Sequence, residues 1–450
     1  MKKLLTYIKK CFMKKIYNFF KNILDKYIGA SSYKKNILTM VGGRIIAQSI
    51  PILLTPLLTR IYSPENFGVF AVYVTITSFI AMISNGRYCL AILLPKEKEN
   101  AQKLILVSTI LTIITTTIFS LLLFFYGASL FKFLNVKELS GHIPFIILNI
   151  LFIGLYEPLF YYGLREKKYK ILASNAIMQA ILMIIIRLLL GYLGYTETGL
   201  MVSYLFGYSF SYILLFLRLE IPLIKVKAKN FDLRTLLRKY LNFPKFSLFA
   251  DSLSVLSNTA PNLLMNKGFG STATGYFSIS EKVLGTPIWF VTSSVGDVFK
   301  QEASEQYRLT GSCKRIFEKT TKTLFLVGLI PFTLIFFVVP PLVPFLFGDI
   351  WAPAGEYIRI FSIMYFSSFV VGPTAYITYI VNKQNYAVAF QGIKLMSIIL
   401  AFVLGFYYKD LTLYLILSSG LITLSNILMY VFSYKLAKDS KYIEPTKENN

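Results

Sequence analysis

Residues 37–59 read ILTMVGGRIIAQSIPILLTPLLT, an apolar run that carries one arginine, Arg44, within it. A helix needs roughly 20 predominantly apolar residues to cross the hydrocarbon core of a bilayer, and this run is long enough. A charged side chain that faces lipid at the bilayer centre costs at least ~2.5–3.5 kcal/mol, so we expect Arg44 to face a wet interior lined by protein. The run therefore predicts a transmembrane helix beside a polar pathway.

The same pattern repeats along the chain and predicts an all-α membrane protein. The 450 residues are 55% hydrophobic with a mean hydropathy of +0.59, which is too apolar for an ordinary soluble protein. Cutting the chain at apolar runs of roughly 20 residues gives about twelve transmembrane helices. The predicted spans are 37–59, 67–94, 104–131, 141–163, 171–194, 197–217, 244–268, 275–299, 323–347, 354–381, 385–408 and 411–434.

The distribution of positive charge predicts the topology. The formal net charge is +25, and 36 of the 47 lysines and arginines fall in the N-terminal segment, the C-terminal tail and the even-numbered loops. Only 5 lie in or beside the odd-numbered loops. This asymmetry is the positive-inside pattern, which predicts that both termini are cytoplasmic. It also accounts for the basicity without a nucleic-acid partner, and we expect none.

The predicted spans form two groups of six, as in transporters whose halves rock about a central cleft. The halves share a faint pattern, because PILL in the first span precedes GVF at 68–70 and PNLL in the seventh precedes GYF at 275–277. We therefore predict two six-helix bundles around a central cationic cleft. The predicted parts are an N-terminal bundle at 37–217, a basic cytoplasmic linker at 218–243, a C-terminal bundle at 244–434 and a cytoplasmic tail at 435–450.

Residues 1–36 predict a basic, amphipathic, cytoplasmic N-terminal segment. Apolar residues recur every three to four positions, and eight lysines up to Lys26 are interleaved with them. A basic amphipathic helix lies on the anionic cytoplasmic leaflet of a membrane. The alternative is a basic tail whose only role is to enforce topology.

Ten ionisable side chains lie within the predicted spans, and six of them are basic. A multi-spanning bundle with a positive interior indicates a pathway for an anionic substrate. Guanidinium groups bind phosphate oxygens in a bidentate fork and stay charged when buried. We therefore predict that the six basic residues, with one glutamine on the same helical face as the first of them, bind the substrate. These residues are Arg44, Gln48, Arg87, Arg187, Lys282, Arg359 and Lys394.

Some of these residues also have simpler explanations. Arg87, Arg187 and Arg359 lie within two or three turns of a span end, from which long side chains reach the interface by snorkelling. Gln48 belongs to a polar stripe, and such stripes also hold membrane helices together. Lys394 lies near mid-depth and is the hardest of the set to explain by snorkelling.

Four acidic residues accompany the cations, and we predict that three of them act in coupling or gating. Asp251 lies on a polar face of the seventh span, opposite the cations of the first span, and is joined in this prediction by Glu157 and Glu281. Each is able to bind a coupling proton or Na⁺, and the sequence does not choose between these ions. Asp297 is expected to form an ordinary interfacial ion pair with Lys300.

Metal sites and catalytic sites are not expected. His142 is the only histidine, and Cys11, Cys89 and Cys313 form no spaced pair. These residues predict no zinc site, no Cys/His catalytic pair and no disulfide framework. The predicted outer loops are short and leave no domain for an active site. We therefore expect no cofactor and no enzymatic activity.

Three motifs carry a resemblance to a known family. Residues 55–70 read TPLLTRIYSPENFGVF, residues 87–96 read RYCLAILLPK, and residues 347–355 read FGDIWAPAG. They resemble P-x-L-T-R-x-Y-S-P-x-x-F-G, R-Y-E-x-A-I-x-L-P and F-G-x-x-W-x-x-A-G of Wzx-type O-antigen and polysaccharide-repeat-unit flippases. That family belongs to the multidrug/oligosaccharidyl-lipid/polysaccharide exporter superfamily. Cys89 replaces the family's usual glutamate, so we expect Arg87 to lack its customary acidic neighbour.

Parts of the first and third motifs also suit a membrane interface. Pro64 fixes φ for a turn, and Gly68 allows the second span to begin close-packed. Basic and aromatic side chains concentrate at membrane interfaces. We therefore expect Arg60, Tyr62 and Trp351 to be interfacial anchors rather than substrate ligands.

The resemblance implies a flippase of the bacterial inner membrane that translocates an undecaprenyl-diphosphate-linked oligosaccharide by alternating access, for O-antigen, capsule or exopolysaccharide synthesis. The implied partners are the polyprenyl-diphosphate-linked glycan, membrane lipid, a polysaccharide polymerase and a chain-length regulator. One alternative is a cation-coupled multidrug exporter of the same superfamily, which the net-positive interior disfavours. Another is a membrane polysaccharide polymerase or ligase, which the short outer loops disfavour.

The charge asymmetry generates a prediction about topology. A cysteine placed within residues 218–243 is expected to react with thiol reagents only from the cytoplasmic side, whereas Asp349→Cys is expected to react only from the periplasmic side. Thiol labelling of intact and permeabilised cells measures both. The reverse result at either position contradicts the twelve-span topology.

Overall fold

The computed structural model describes residues 32–95, 97–220, 237–241, 243–381 and 383–439. Within these ranges the chain is helical and contains no strand, so the prediction of an all-α protein is confirmed. Most of the predicted N-terminal segment, most of the predicted linker and the end of the predicted tail lie outside the described residues, as does the side chain of Arg44.

Eleven long helices make up the described part of the chain. One of them, α7, bends at Gly270, whose φ of 85° and ψ of 174° belong to a region that essentially only glycine adopts. This bend divides α7 into a first and a second limb, so each half of the chain supplies six helical segments. The helices are α1 Ser32–Leu58, α2 Pro64–Ser84, α3 Lys98–Phe133, α4 Ile143–Arg165, α5 Tyr169–Tyr192, α6 Gly199–Arg218, α7 Leu248–Thr310, α8 Lys314–Phe347, α9 Ala352–Val371, α10 Gln384–Tyr407 and α11 Leu411–Asp439.

The helices have the length and the exposed surface of membrane spans. Nine of those in the described ranges are long and apolar enough to cross a membrane, and Ile45–Leu58 of α1 is a shorter apolar helix. Large apolar side chains point outward from them, such as Phe124 of α3 and Phe345 of α8, each 79% exposed. Apolar surface on this scale requires lipid rather than water around it. The chain is a multi-pass membrane protein.

The seventh and eighth predicted spans, 244–268 and 275–299, correspond to the two limbs of α7. The limbs are two helices that the non-helical backbone angles of Gly270 separate. A single glycine provides the bend, so no connecting loop is needed between the two limbs. The second limb also continues to Thr310, well beyond the predicted end.

The turn between α1 and α2 fixes where α2 begins. Ser63 caps the helix, since its hydroxyl accepts from the Asn66 amide at 3.2 Å and the Asn66 side chain accepts from the Ser63 amide at 3.1 Å. Pro64 occupies the first helical position, where its missing N–H costs nothing. We call the end of the molecule that holds residues 59–63 the turn end, and the end that holds residues 237–247 the linker end.

The two halves approach each other most closely where α2 meets the second limb of α7. Gly68 of α2 lies against the backbone carbonyl of Ser271, and Gly275 of α7 lies against the backbone carbonyl of Pro64. The two contacts are reciprocal, because each glycine stands four residues after the carbonyl that the other glycine meets. A Cβ atom at either glycine would collide with the opposing carbonyl oxygen. Glycine is therefore required at both positions for the helices to lie this close.

Hydrogen bonds between the halves reinforce this contact at the turn end. The Trp351 indole donates to the Thr59 carbonyl at 3.0 Å, and the Arg60 guanidinium donates to the Phe345 carbonyl at 3.1 Å. The Asn266 side chain also donates to the Leu134 carbonyl at 2.7 Å. The turn end of the molecule is therefore closed.

The aromatic residues expected at the membrane interface lie in the protein core instead. Trp351 has no exposed surface, and Tyr62 is 1% exposed. Phe67 packs edge-on against both rings, with ring centroids 5.4 Å from Trp351 and 6.3 Å from Tyr62. The expectation of interfacial anchors is wrong for these two aromatic residues. The contact between the halves buries Trp351, whereas Tyr62 is buried against α5 of its own half, where its hydroxyl donates to the Arg187 carbonyl at 2.7 Å.

The glycine contact generates a prediction about stability and shape. Gly68→Ala and Gly275→Ala are each expected to push α2 and α7 apart at the turn end, because the new methyl group meets a backbone carbonyl that cannot move aside. Overpacking of this kind costs about 1–3 kcal/mol. Thermal unfolding of the purified protein measures the loss of stability.

A matched control and a distance measurement complete this test. Gly420→Ala in α11 adds a methyl group with no atom within 4 Å, so no loss of stability is expected. Spin labels at Glu65 and Ile350 report the separation of the halves at the turn end. Unchanged stability and separation in Gly68→Ala would contradict the assigned contact.

Candidate substrate chambers and the ion pair between the halves

Arg87 lies at a break in the predicted second span. The span was expected to run from 67 to 94, whereas α2 ends at Ser84. Gly86 and Arg87 adopt left-handed backbone angles, with φ of 57° and 59°, and the Asn85 side chain accepts from the Arg87 amide at 3.0 Å. Asn85 and Gly86 form an Asn-Gly pair, which is a strong turn signal, so the sequence itself indicates where the helix breaks.

The break directs the Arg87 guanidinium into the protein, towards two carboxylates. It lies 2.5 Å from Asp251 of α7 and 4.0 Å from Glu157 of α4, and 13% of its side chain is exposed. Glu157 also accepts from the Asn85 side chain at 2.7 Å, and the Cys89 thiol lies 3.7 Å from it. Arg87 lacks an acid at position 89, as expected, but Asp251 and Glu157 take the place of that acid. Its guanidinium points at these carboxylates, which disfavours the alternative explanation by snorkelling. Both carboxylates come from segments far away in sequence.

This ion pair joins the two halves at the linker end. Arg87 belongs to the N-terminal half, and Asp251 lies in the first turn of α7 in the C-terminal half. Asp251 was expected opposite the cations of the first span, and the partner found for it is Arg87. Thirty-six per cent of the Asp251 side chain is exposed, so water reaches the pair from one side.

A cavity of 680 Å³ lies between α1, α5, α6 and the second limb of α7, and we call it the cationic chamber. Three of the predicted substrate-binding residues line it, namely Gln48, Arg187 and Lys282. Arg187 comes from the N-terminal half and Lys282 from the C-terminal half. The chamber is therefore a junction between the two halves.

Both cations of this chamber are held by uncharged neighbours. Arg187 donates to the Ser203 hydroxyl at 2.9 Å and stacks over the Phe70 ring at 5.2 Å. The Lys282 ammonium lies 5.1 Å from the centre of the Phe67 ring. Within the described ranges neither cation forms an ion pair with a carboxylate. An anion that enters the chamber therefore meets two cations that the described residues do not engage in a direct ion pair.

A second cavity of 490 Å³ lies in the C-terminal half, and we call it the polar chamber. Lys394 and Gln391 of α10 line it, and the Lys394 ammonium donates to the Asn258 side chain at 3.3 Å. Nearby on the second limb of α7, Glu281 accepts from Asn262 at 3.5 Å. The polar chamber thus holds one predicted substrate cation among uncharged polar side chains.

Arg359 lies outside these chambers. It pairs with Glu356 on its own helix at 3.1 Å, and both side chains are exposed, which fits a surface ion pair. Asp297 pairs with Lys300 at 2.9 Å, as expected, and this pair lines the polar chamber. Trp289 lines both chambers and was not among the predicted site residues. A signal for it existed, because it follows Lys282 at steps of four and three residues through Thr286.

The architecture is a fold shared with solved transporters and flippases of the multidrug/oligosaccharidyl-lipid/polysaccharide exporter superfamily. The chain is similar to the lipid II flippase MurJ in an inward closed conformation, with a TM-score of 0.68 at 14% identity over 90% of each chain. It is also similar to an inward-facing multidrug resistance MATE transporter, with a TM-score of 0.55 at 16% identity over 91% of this chain and 95% of that one. A superfamily transporter from Pyrococcus furiosus, described as having a binding pocket of reverse polarity, gives 0.60 at 14% identity over 90% and 97%.

The chain belongs to the polysaccharide biosynthesis protein family, whose model matches residues 57–356. This range contains the second and third quoted motifs and nearly all of the first. The resemblance read from those motifs is confirmed at this level. No protein of curated function matches the chain by sequence.

The ion pair between the halves predicts that one substitution destabilises the protein more than another. Arg87→Gln is expected to lower the free energy of unfolding more than Asp251→Asn, because it leaves two carboxylates without their cation. Charged hydrogen bonds of this kind contribute about 1.5–3 kcal/mol, and the exposure of Asp251 puts its loss at the lower end. Thermal unfolding of the purified single and double variants measures the pairwise coupling.

Glu356→Gln, which breaks the exposed pair with Arg359, serves as the control and is expected to change stability by less than about 1 kcal/mol. A coupling energy near zero between Arg87→Gln and Asp251→Asn would mean that this pair does not hold the halves together.

Proposed function

We propose that the chain is a flippase that moves a polyprenyl-diphosphate-linked oligosaccharide across the bacterial inner membrane by alternating access. In this proposal the linker end faces the cytoplasm, the turn end faces the periplasm, and the lipid is undecaprenyl diphosphate. The diphosphate binds in the cationic chamber, and the polyprenyl chain stays in the surrounding lipid. Membership of the polysaccharide biosynthesis protein family supports a glycan as the cargo.

The observation that carries the proposal is the pair of cations in the cationic chamber. Arg187 and Lys282 stand on opposite halves of the molecule, and neither has an acidic partner in the described part of the chain. Moving such charges out of water is costly unless an anion completes the site. A diphosphate supplies two neighbouring anionic groups, one for each cation. Binding it would therefore draw the two halves towards each other.

Arg87 supplies a mechanism for opening the linker end. It contacts Asp251 of the other half and has Glu157 of its own half 4.0 Å away. When the halves separate, Arg87 loses Asp251 but keeps Glu157, so its charge is never left alone. In this mechanism Asp251 is the gating acid. A coupling proton or Na⁺ that binds Asp251 would favour the separated state by competing with Arg87.

The alternatives fit the chambers less well. An exporter of cationic drugs requires acidic groups in its central cavity, whereas the cationic chamber presents Arg187 and Lys282. A polymerase or ligase requires a site for bond formation, and within the described ranges no group of three or more His, Cys, Asp or Glu side chains is suited to hold a metal ion. A polysaccharide polymerase and a chain-length regulator are proposed as partners of the flippase rather than as activities of this chain.

The proposal predicts which cations transport requires. Arg187→Ala and Lys282→Ala are each expected to lower polysaccharide export by about 10- to 100-fold, because a charged hydrogen bond to phosphate contributes about 1.5–3 kcal/mol. Arg187→Lys is expected to restore export only in part, since an ammonium lacks the bidentate fork. Export in cells that depend on this chain, corrected for the amount of protein in the membrane, is the measurement.

Arg359→Ala is the matched control, because it removes an arginine whose partner is an exposed residue on its own helix. It is expected to leave export unchanged. Full export by both alanine variants of the cationic chamber would overturn the proposal that the chamber binds the diphosphate.

A further inference from the structure

Trp289 lies where the two chambers meet. It stands on the second limb of α7 and lines both the cationic chamber and the polar chamber. Its side chain is 49% exposed, whereas Trp351, the other tryptophan of the chain, has no exposed surface. An indole presents a broad apolar face together with a polar N–H group. At a junction of cavities, such a face is available to a ligand.

The two chambers differ in the chemistry of their walls. The cationic chamber carries Arg187 and Lys282, which suit phosphate. The polar chamber instead carries amides and hydroxyls around one lysine without an ion pair in the described ranges, Lys394, because its other lysine, Lys300, is paired with Asp297 at 2.9 Å. The uncharged polar side chains that line it include Thr292, Ser293, Gln391, Ser425 and Asn426. Alternating donors and acceptors of this kind match the hydroxyl groups of a sugar.

Two further features of the polar chamber favour a sugar. The carboxamide oxygen of Gln391 is buried and has no hydrogen-bond partner within the described chain, so it is an acceptor that a hydroxyl would satisfy. Towards the linker end the chamber is lined by Tyr376 and Tyr379, whose rings stack 5.0 Å apart at 18°. The chamber thus combines aromatic faces with amide and hydroxyl groups.

We propose that the two chambers hold the two parts of one substrate, with the diphosphate in the cationic chamber and the glycan in the polar chamber. Trp289 is the platform on which the sugar next to the diphosphate stacks. The apolar C–H face of a pyranose ring lies on the indole, and the hydroxyls at its rim reach the polar walls. This inference rests on the proposed function and assigns it a glycan subsite.

The spacing on α7 agrees with this division. Lys282, Thr286 and Trp289 succeed one another at steps of four and three residues and therefore share one face of the helix. The seven residues from Lys282 to Trp289 advance about 10 Å along the helix axis. A diphosphate with its first sugar ring has a comparable length. Lys282 and Trp289 are thus placed to contact neighbouring parts of one molecule.

Two substitutions of Trp289 distinguish a requirement for its aromatic face from a requirement for its size. Trp289→Phe keeps an aromatic face and is expected to retain at least a third of polysaccharide export, whereas Trp289→Leu is expected to lose at least tenfold. Because the side chain is half exposed, both variants are expected to accumulate in the membrane and to unfold at the temperature of the unmodified protein. Equal export by the two variants would overturn the stacking role.

Binding of inorganic pyrophosphate to the purified protein tests the division between chambers. Calorimetry is expected to give the same affinity for Trp289→Leu as for the unmodified chain, and an affinity at least tenfold weaker for Lys282→Ala. Weaker binding by Trp289→Leu would mean that Trp289 serves the diphosphate, which would overturn the separate glycan subsite. If the unmodified chain binds no pyrophosphate, the proposed function fails at its diphosphate step.

Photo-crosslinking tests the glycan subsite independently of that step. The photoreactive residue p-benzoylphenylalanine at position 289, in cells that make the polysaccharide, is expected to capture a lipid that carries sugar, detected by mass spectrometry and by glycosidase sensitivity. The same residue at Ile330, which is 70% exposed on the outer face of α8, is expected to capture membrane lipid without this glycan. Adducts at position 289 that contain no sugar would overturn the inference, whatever the pyrophosphate result.

Discussion

The close approach of α2 and α7 is the constraint on which the arrangement of the two halves depends. Gly68 and Gly275 bring backbone against backbone, with no side chain between the helices. Phe67, one residue before the first glycine, is thereby held under Lys282 and edge-on against Trp351. Seven residues after Gly275, Lys282 enters the cationic chamber. The contact between the halves therefore also positions a cation of the candidate site.

The three sequence motifs have a common physical role in the fold. The first and third motifs meet across the halves, where the Trp351 indole binds the Thr59 carbonyl. The second motif contributes Arg87 to the ion pair at the opposite end. Both motif regions thus lie where one half touches the other. If the halves move relative to each other as proposed, a substitution at these contacts would change how the halves fit together.

Local patterns in the sequence were sufficient to predict the helices, their approximate ends and the presence of buried charge. Hydrophobic run length gave the spans, and Arg187, Lys282 and Gln48 were identified because ionisable and polar groups are costly in lipid. The partners of these groups were not predictable, because they lie far away in sequence. Arg87 finds Asp251 more than 160 residues later, and no periodicity encodes that pairing. Trp289 was missed because its spacing from Lys282 and Thr286 shows only that it shares a helical face with them, and the cavity on that face is formed by other helices.

The contacts at the two ends of the molecule differ in kind, and this difference sets which end opens more easily. The turn end combines two glycine contacts with buried hydrogen bonds, and separating it would expose unpaired backbone groups. The linker end has one described ion pair between Arg87 and Asp251, and the acid is already partly hydrated. Partial exposure weakens this ion pair, and Arg87 keeps Glu157 as a neighbour when the pair separates. In the proposed mechanism, opening therefore begins at the linker end, and the substrate first reaches the two chambers from that side.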